Sequence, residues 1–199
     1  PDVARMDVRR PRRQAWCWGH NDYGQLGTGT DEGTPSPALV TGGLRFNDLS
    51  AGALHTCGVT MDDEAWCWGL NRHGQLGNGT VENTLEPHLV SGGHRFAAIA
   101  AGVSHTCALT NAGRARCWGM NEFGELGNGS RGRPGLPEIA VPDNVAGGEY
   151  TFKSISAGAQ VTCAITTSGE GMCWGRGEYG QIGDGAATHR NTPRYVFSQ

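Results

Sequence analysis

The chain has 199 residues, with 16 Lys and Arg against 19 Asp and Glu, and therefore a net charge of −3. This mild acidity gives no general reason to expect nucleic acid or an anionic membrane as a partner, and no apolar run approaches the roughly 20 residues that span a bilayer. The 33 glycines, without a long apolar stripe of helical period, predict an all-β chain of short strands and tight turns.

The first feature in chain order is a basic run at residues 9–13. Such a run could be an arm that binds nucleic acid. By the repeat period described below, however, it occupies the place of a hairpin tip, and the rest of the chain is acidic. We therefore interpret it as a solvated loop and do not expect nucleic acid as a partner.

The tripeptide Cys-Trp-Gly then recurs at residues 17–19, 67–69, 117–119 and 173–175. Each copy precedes a version of Asn-x-x-Gly-Gln-Leu-Gly-x-Gly, and the last three follow a version of Ala-Gly-x-x-His-Thr-Cys. The last spacing is longer, and we interpret residues 131–150 as a longer loop insertion. A period near 50 residues is typical of propeller blades, so we expect residues 1–199 to form a single repeat domain.

Each repeat unit is predicted to contain four short strands. Apolar runs at 37–40 and 46–49 precede a strand at 55–60, which turns near Asp62 and returns through 65–68. Four short strands joined by Gly- and Asn-containing turns are typical of one propeller blade.

The repeated pattern resembles the regulator of chromosome condensation repeat over nearly the whole chain. This resemblance implies a seven-bladed β-propeller of four-stranded blades, of which the chain holds about half. We expect a partial ring with three complete blades plus two partial ones, the last partial blade being an opening strand at 192–197. We interpret the chain as part of a longer protein. Two arcs closing one ring, or pairing of the two ends of the chain, are alternatives, and the open edges could self-associate.

The seven cysteines form three pairs with a constant spacing of ten residues, and one cysteine is left over. In a hairpin centred near Asp62, the two members of a pair lie directly opposite each other, close enough for a disulfide. We therefore predict the disulfides Cys57–Cys67, Cys107–Cys117 and Cys163–Cys173, and a free thiol at Cys17.

Two other interpretations of the cysteines stay open. They could be reduced buried thiols, or Cys57 and Cys67 could bind zinc together with His55. The unit with Val161 in place of this histidine keeps both cysteines, so we expect no metal. Because disulfides persist outside the cytosol, we expect a secreted or cell-surface protein. The 15 Arg against one Lys are typical of a GC-rich genome, and we expect a bacterial source.

The repeats contain no constellation of residues that is typical of an enzyme. His55 and His105 could act as acid–base groups, but they are repeated and are replaced by Val161 in the last unit. We interpret them as buried hydrogen-bonding groups. Nucleophile elbows, phosphate-binding loops and special carboxylate pairs are absent from the sequence, so we predict no catalytic residues and no cofactor.

Function is expected in the positions that differ between repeats. In Trp-Gly-x-Asn-x-x-Gly, the two variable positions and the ring that follows would lie on loops at one end of successive blades. A curved surface of aromatic anchors and mixed charges is typical of protein-binding sites. The candidate partner-binding residues are His20, Asp22, Tyr23, Leu70, Arg72, His73, Met120, Glu122, Phe123, Arg176, Glu178 and Tyr179.

We therefore predict a non-catalytic module that binds a protein partner outside the cytosol. One alternative is an intracellular propeller for guanine-nucleotide exchange and chromatin binding, which is what the family resemblance implies when the thiols are reduced. A second alternative is an accessory domain of a carbohydrate-active or envelope enzyme.

Overall fold

The computed structural model describes residues 5–9, 13–132, 139–147 and 149–197. Over these ranges the chain forms fifteen short strands, and a 3-10 turn at Thr41–Gly43 joins the third to the fourth. The strands are β1 Arg5–Arg9, β2 Gln14–Gly19, β3 Thr34–Leu39, β4 Phe46–Ala51, β5 His55–Thr60, β6 Ala65–Gly69, β7 Thr84–Leu89, β8 Phe96–Ala101, β9 His105–Thr110, β10 Ala115–Gly119, β11 Ile139–Asn144, β12 Phe152–Ala157, β13 Val161–Thr166, β14 Gly171–Gly175 and β15 Arg190–Tyr195. In these ranges, no helix has the length and apolar character needed to cross a membrane.

The strands form four antiparallel sheets, which we call blades I to IV. Blade I contains β1–β3, blade II β4–β7, blade III β8–β11 and blade IV β12–β15, each paired in chain order. The predicted fold class, an all-β propeller arc of four-stranded blades, is confirmed.

The C-terminal strand corrects one detail of the prediction. The segment expected to open a further blade forms β15, whose Met172↔Tyr195 pairing with β14 completes blade IV instead. The described residues thus contain three complete blades and one three-stranded blade. The last strand of every blade follows a long loop. The sequence period does not show whether such a strand pairs with the strand before the loop or with the strands of the next repeat unit.

Two other predicted segments fall partly outside the described residues. Of the basic run at 9–13, residues 10–12 lie outside them, and Arg9 ends β1. Of the predicted insertion at 131–150, residues 133–138 and 148 lie outside them. The described remainder of this segment contains β11, the outer strand of blade III.

Three disulfides cross-link the central hairpins of blades II, III and IV. The bonded cysteines lie directly opposite each other in the strand register, with 4.1 Å between their Cα atoms in every case. They are Cys57–Cys67, Cys107–Cys117 and Cys163–Cys173, which are the pairs that the ten-residue spacing predicts. Because Cys57 and Cys67 are oxidised to a disulfide, they cannot provide the thiolate ligands that a zinc site would need. Cys17 is a free, buried thiol, and burial raises its pKa to about 12.

The hydrophobic core lies between successive blades. Between blades II and III, for example, the Cys57–Cys67 disulfide, Val59 and Leu76 pack against Phe96 and Trp118 of the next blade. Equivalent clusters lie between blades I and II and between blades III and IV. An inner blade is therefore buried on both faces, and each blade depends on its neighbour for its stability.

Hydrogen bonds from each blade to the loop before it fix the angle between blades. The carbonyl of Gln75 accepts from Trp118 Nε1 at 2.9 Å and from Thr106 Oγ1 at 2.8 Å. Gly77 has a φ of +67° in this loop, and a Cβ at its position would lie 2.6 Å from Trp118 Nε1. The same joint is made by Gln25 with Trp68 and Thr56, and by Glu125 with Trp174 and Thr162.

Candidate functional site

The Asn-x-x-Gly loops follow β2, β6 and β10, and the corresponding loop at 177–180 follows β14; all four lie at the same end of their blades. In blade II, the buried Asn71 side chain accepts from the backbone N–H of Leu76 at 2.9 Å and donates to the carbonyls of Thr80 and Glu82 at 3.0 Å. The backbone N–H of His73 donates to Gln75 Oε1 at 2.9 Å. These bonds fix the backbone of the loop and therefore the positions from which the variable side chains project.

The structure brings candidate residues of blades I and II together in two pairs. His20 Nε2 and Asp22 Oδ2 are 2.9 Å apart, and Arg72 Nε donates to His73 Nε2 at 2.9 Å. Leu70 is only 8% exposed, so it contributes little to any surface at this end of the blades.

Three candidate residues of blades III and IV, Phe123, Glu178 and Tyr179, contact the guanidinium of Arg176. Its Cζ lies 5.2 Å from the ring centroid of Phe123 and 5.6 Å from that of Tyr179. Its Nε donates to Glu178 Oε1 at 2.6 Å, and its Nη1 donates to Gln160 Oε1 at 2.8 Å. Tyr179 is 80% exposed. We call Phe123, Gln160, Arg176, Glu178 and Tyr179 the Arg176 cluster.

Arg176 carries a permanent positive charge. The hydrogen bond to Glu178 raises the pKa of Arg176 further above its already high range, and the charge of Glu122 contributes in the same direction. An arginine that is held between two rings presents a fixed fork of N–H donors beside an apolar surface. Such an arrangement can bind a polypeptide through stacking and hydrogen bonds.

Two residues at this site were missed by reasoning from the repeats. Gln160 lies between β12 and β13, and the ring of His189, which precedes β15, lies 4.9 Å from that of Phe123. His189 Nδ1 also accepts from the backbone N–H of Gly177 at 3.2 Å. Gly177 stands where the other three units have a buried asparagine. This departure was the signal in the sequence that the fourth loop is supported differently.

Glu125 stabilises the loop that carries Phe123. It stands where the other units have glutamine, its side chain is fully buried, and its Oε2 accepts from the backbone N–H of Phe123 at 2.8 Å. Its Oε1 is buried without a hydrogen-bond partner among the described residues. Burial raises the pKa of this carboxyl group from 4.5 to about 7, against the opposing effect of the backbone hydrogen bonds.

The repeated histidines are buried structural groups. His55 Nε2 lies 2.9 Å from Thr106 Oγ1, and His105 Nε2 lies 2.9 Å from Thr162 Oγ1, both in the next blade. Since each threonine hydroxyl donates to a loop carbonyl, it accepts from the histidine, which therefore carries its proton on Nε2. Burial lowers the pKa of His55 to about 3 and that of His105 to about 4. These imidazoles stay neutral and have no access to a substrate.

Comparisons with known proteins agree with this geometry. A family model described as "Regulator of chromosome condensation (RCC1) repeat" matches residues 14–59, 62–109 and 113–165, and a second model with that description matches 46–75, 96–125 and 152–181. No curated protein matches the sequence significantly.

Solved structures share the fold at low sequence identity. Human WBSCR16 superposes with a TM-score of 0.81 and 23% identity over 94% of this chain and 49% of its own. Prp20p from Saccharomyces cerevisiae superposes with 0.77 and 23% over 93% and 46%. The CRINKLY WD40 ectodomain of the Arabidopsis thaliana receptor kinase ACR4 superposes with 0.52 and 22% over 86% and 51%. The chain therefore spans about half the length of the structures it matches.

Proposed function

The chain belongs to the Regulator of chromosome condensation (RCC1) repeat family, and on that premise we propose that it is a non-catalytic module that binds a protein partner outside the cytosol. The partner contacts the loops at the end of the blades where the Arg176 cluster lies. The candidate positions of blades I and II extend this surface along the arc.

The observation that carries the proposal is the fixed position of Arg176 between Phe123 and Tyr179. Tyrosine and arginine are enriched among the residues that supply most of the energy of protein–protein binding. Both ends of the Arg176 guanidinium are already held by Glu178 and Gln160. Binding therefore costs little further side-chain entropy, which is the advantage of a preorganised surface.

Proteins of the same fold support a protein partner and an extracytoplasmic location. The Prp20p structure is described together with its binding to Gsp1p and histones, so a propeller of this kind can serve as a scaffold for protein recognition. The ACR4 structure is an ectodomain. Three disulfides are also typical of proteins from oxidising compartments. These likenesses concern the fold, and they support the location and the type of ligand without identifying the partner.

The test begins with capture of partners from the extracellular fraction of the source organism and continues with titration of the purified partner. Arg176→Ala and Tyr179→Ala should each weaken its binding at least about tenfold, which corresponds to about 1.4 kcal/mol. Phe197→Ala is the matched control, because Phe197 is an exposed aromatic residue (68%) outside the cluster. Failure to capture any partner, or equal affinity for all four proteins, would contradict the proposal.

A further inference from the structure

A second candidate site lies at the other end of blade III. An open cavity of about 940 Å³ surrounds the start of β10, whereas the loop that carries Phe123 follows the end of this strand. Three arginines, Arg95, Arg114 and Arg116, line the cavity, against one acidic residue, Asp143. The lining is thus locally positive in a chain whose net charge is −3, and the field in the cavity favours an anion.

Two of these arginines lack acceptors in the described part of the chain. Arg116 lines the cavity, and its Nε is buried without a hydrogen-bond partner there. The guanidinium of Arg114 likewise has no hydrogen bond or ion pair with a described residue. A buried N–H group without an acceptor costs about 1–3 kcal/mol. An oxyanion in the cavity would give the partly exposed guanidinium of Arg116 a hydrogen-bond acceptor.

The other charged residues of the cavity are already satisfied. Arg95 Nη1 pairs with Glu64 Oε1 at 3.0 Å. Asp143 accepts from Asn128 Nδ2 and from the backbone N–H of Asn144, both at 2.8 Å. Asp143 therefore uses its oxygens in the loop, and the arginines of β10 remain available for a ligand.

The equivalent positions of the other repeats show that this pair of arginines is particular to blade III. The position of Arg114 holds Gln14, Glu64 and Glu170 elsewhere, and the position of Arg116 holds Trp16, Trp66 and Met172. The scaffold therefore tolerates neutral residues at both positions. The arginines are not needed to form a blade.

We propose that this cavity binds the carboxylate groups of an acidic peptide segment. The planar guanidinium fork of arginine matches a carboxylate with two parallel hydrogen bonds. The ring of Tyr150, which is partly exposed, lines the wall towards blade IV and offers apolar surface for the rest of the segment, whereas Phe152 is buried. The choice of a peptide as the source of the carboxylate rests on the proposed protein-binding function. The oxyanion chemistry rests on Arg114 and Arg116 alone.

The test uses a fluorescein-labelled hexaglutamate peptide, whose anisotropy is followed during titration with the full chain at low ionic strength. The wild-type protein should bind this probe. Arg116→Met and Arg114→Gln, which install the residues of sibling repeats, should each weaken binding about tenfold or more, because each removes a charge-assisted hydrogen bond. Arg45→Gln is the matched control, since it removes the same charge at the position in blade II that corresponds to Arg95.

The outcomes separate this proposal from the one for the Arg176 cluster. Tyr179→Ala should bind hexaglutamate as the wild type does, so the probe reports on the cavity alone. Absence of binding to the wild type, or an equal loss in Arg45→Gln, would overturn the proposal. Binding of inorganic phosphate that depends on Arg116 and excludes hexaglutamate would overturn the peptide as the source of the oxyanion. Thermal unfolding checks that Arg116→Met is folded, and Arg114→Gln alters only an exposed side chain.

Discussion

Replacement of Glu125 by glutamine should stabilise the protein in a strongly pH-dependent way. The variant places in the third repeat the residue that the other three units already have. The pKa of the carboxyl group rises from 4.5 to about 7 on folding, because the side chain is buried. This difference of about 2.5 pH units corresponds to about 3 kcal/mol of differential free energy.

The sign follows from linkage between protonation and folding. Because the folded pKa is the higher one, the folded state holds its proton after the unfolded state has lost it. The contribution of Glu125 to stability is thus fully present below pH 4.5 and is lost as the pH rises through about 7. Glutamine does not titrate. We therefore expect Glu125→Gln and the wild type to show a constant difference at low pH, with the variant gaining about 3 kcal/mol by about pH 8.

Urea unfolding at a series of pH values, with the disulfides intact, measures this difference directly. Gln75→Glu supplies the converse control, because Gln75 occupies the same buried position in blade II. It should acquire the pH dependence that Glu125→Gln loses. A difference in the free energy of unfolding that stays flat from about pH 4 to about pH 8 would refute the reasoning, since it would mean that Glu125 ionises as readily in the folded state as in the unfolded state.

Three further predictions concern the cross-links and the joints between blades. Alkylation of the denatured protein, read by intact mass, should label one cysteine, Cys17, before reduction and all seven after it; seven labels before reduction would contradict the disulfides. Thr106→Val should lower the free energy of unfolding in urea by about 2–3 kcal/mol, because it breaks the hydrogen bonds to His55 and to the carbonyl of Gln75. Thr56→Val breaks only the bond to the carbonyl of Gln25 and should lower it by about 1 kcal/mol. Equal losses would contradict the contribution of the histidine–threonine hydrogen bond. Gly77→Ala should destabilise the protein by more than about 3 kcal/mol, because the positive φ and the overlap with the Trp118 ring act together. Gly180→Ala should destabilise it by only about 1 kcal/mol, because no atom lies close to a Cβ at that position. Equal melting temperatures of the two variants would show that the loop relaxes around the new side chain.

The repeats and the cross-links could be predicted from the sequence because they depend on local rules. A hairpin with an odd loop places residues ten apart directly opposite each other, so the constant spacing predicts Cys57–Cys67 without any knowledge of the rest of the fold. The blades follow from the period in the same way. The pairing of β15 with β14 could not be predicted, because it depends on where a long loop returns to the sheet.

The Arg176 cluster needed the structure for a different reason. Phe123 and Arg176 belong to different repeats, and their approach depends on the angle between blades III and IV, which the buried joints of Glu125 and Trp174 fix. The departures of single repeats were visible in the sequence, as with Gly177 and Arg116. The roles of these residues depend on how deeply they are buried and on which neighbours they contact, and the repeat pattern predicts neither.

The most direct test of the central claim is site-specific photo-crosslinking. A benzophenone amino acid is placed at position 179 or, as a control, at position 197, and each protein is irradiated with the captured partner. Because Tyr179 is the most exposed member of the Arg176 cluster that we assign to binding, we predict a covalent adduct from position 179 and none from position 197. An adduct from position 197 alone, or none from position 179 while the partner remains bound, would contradict the account.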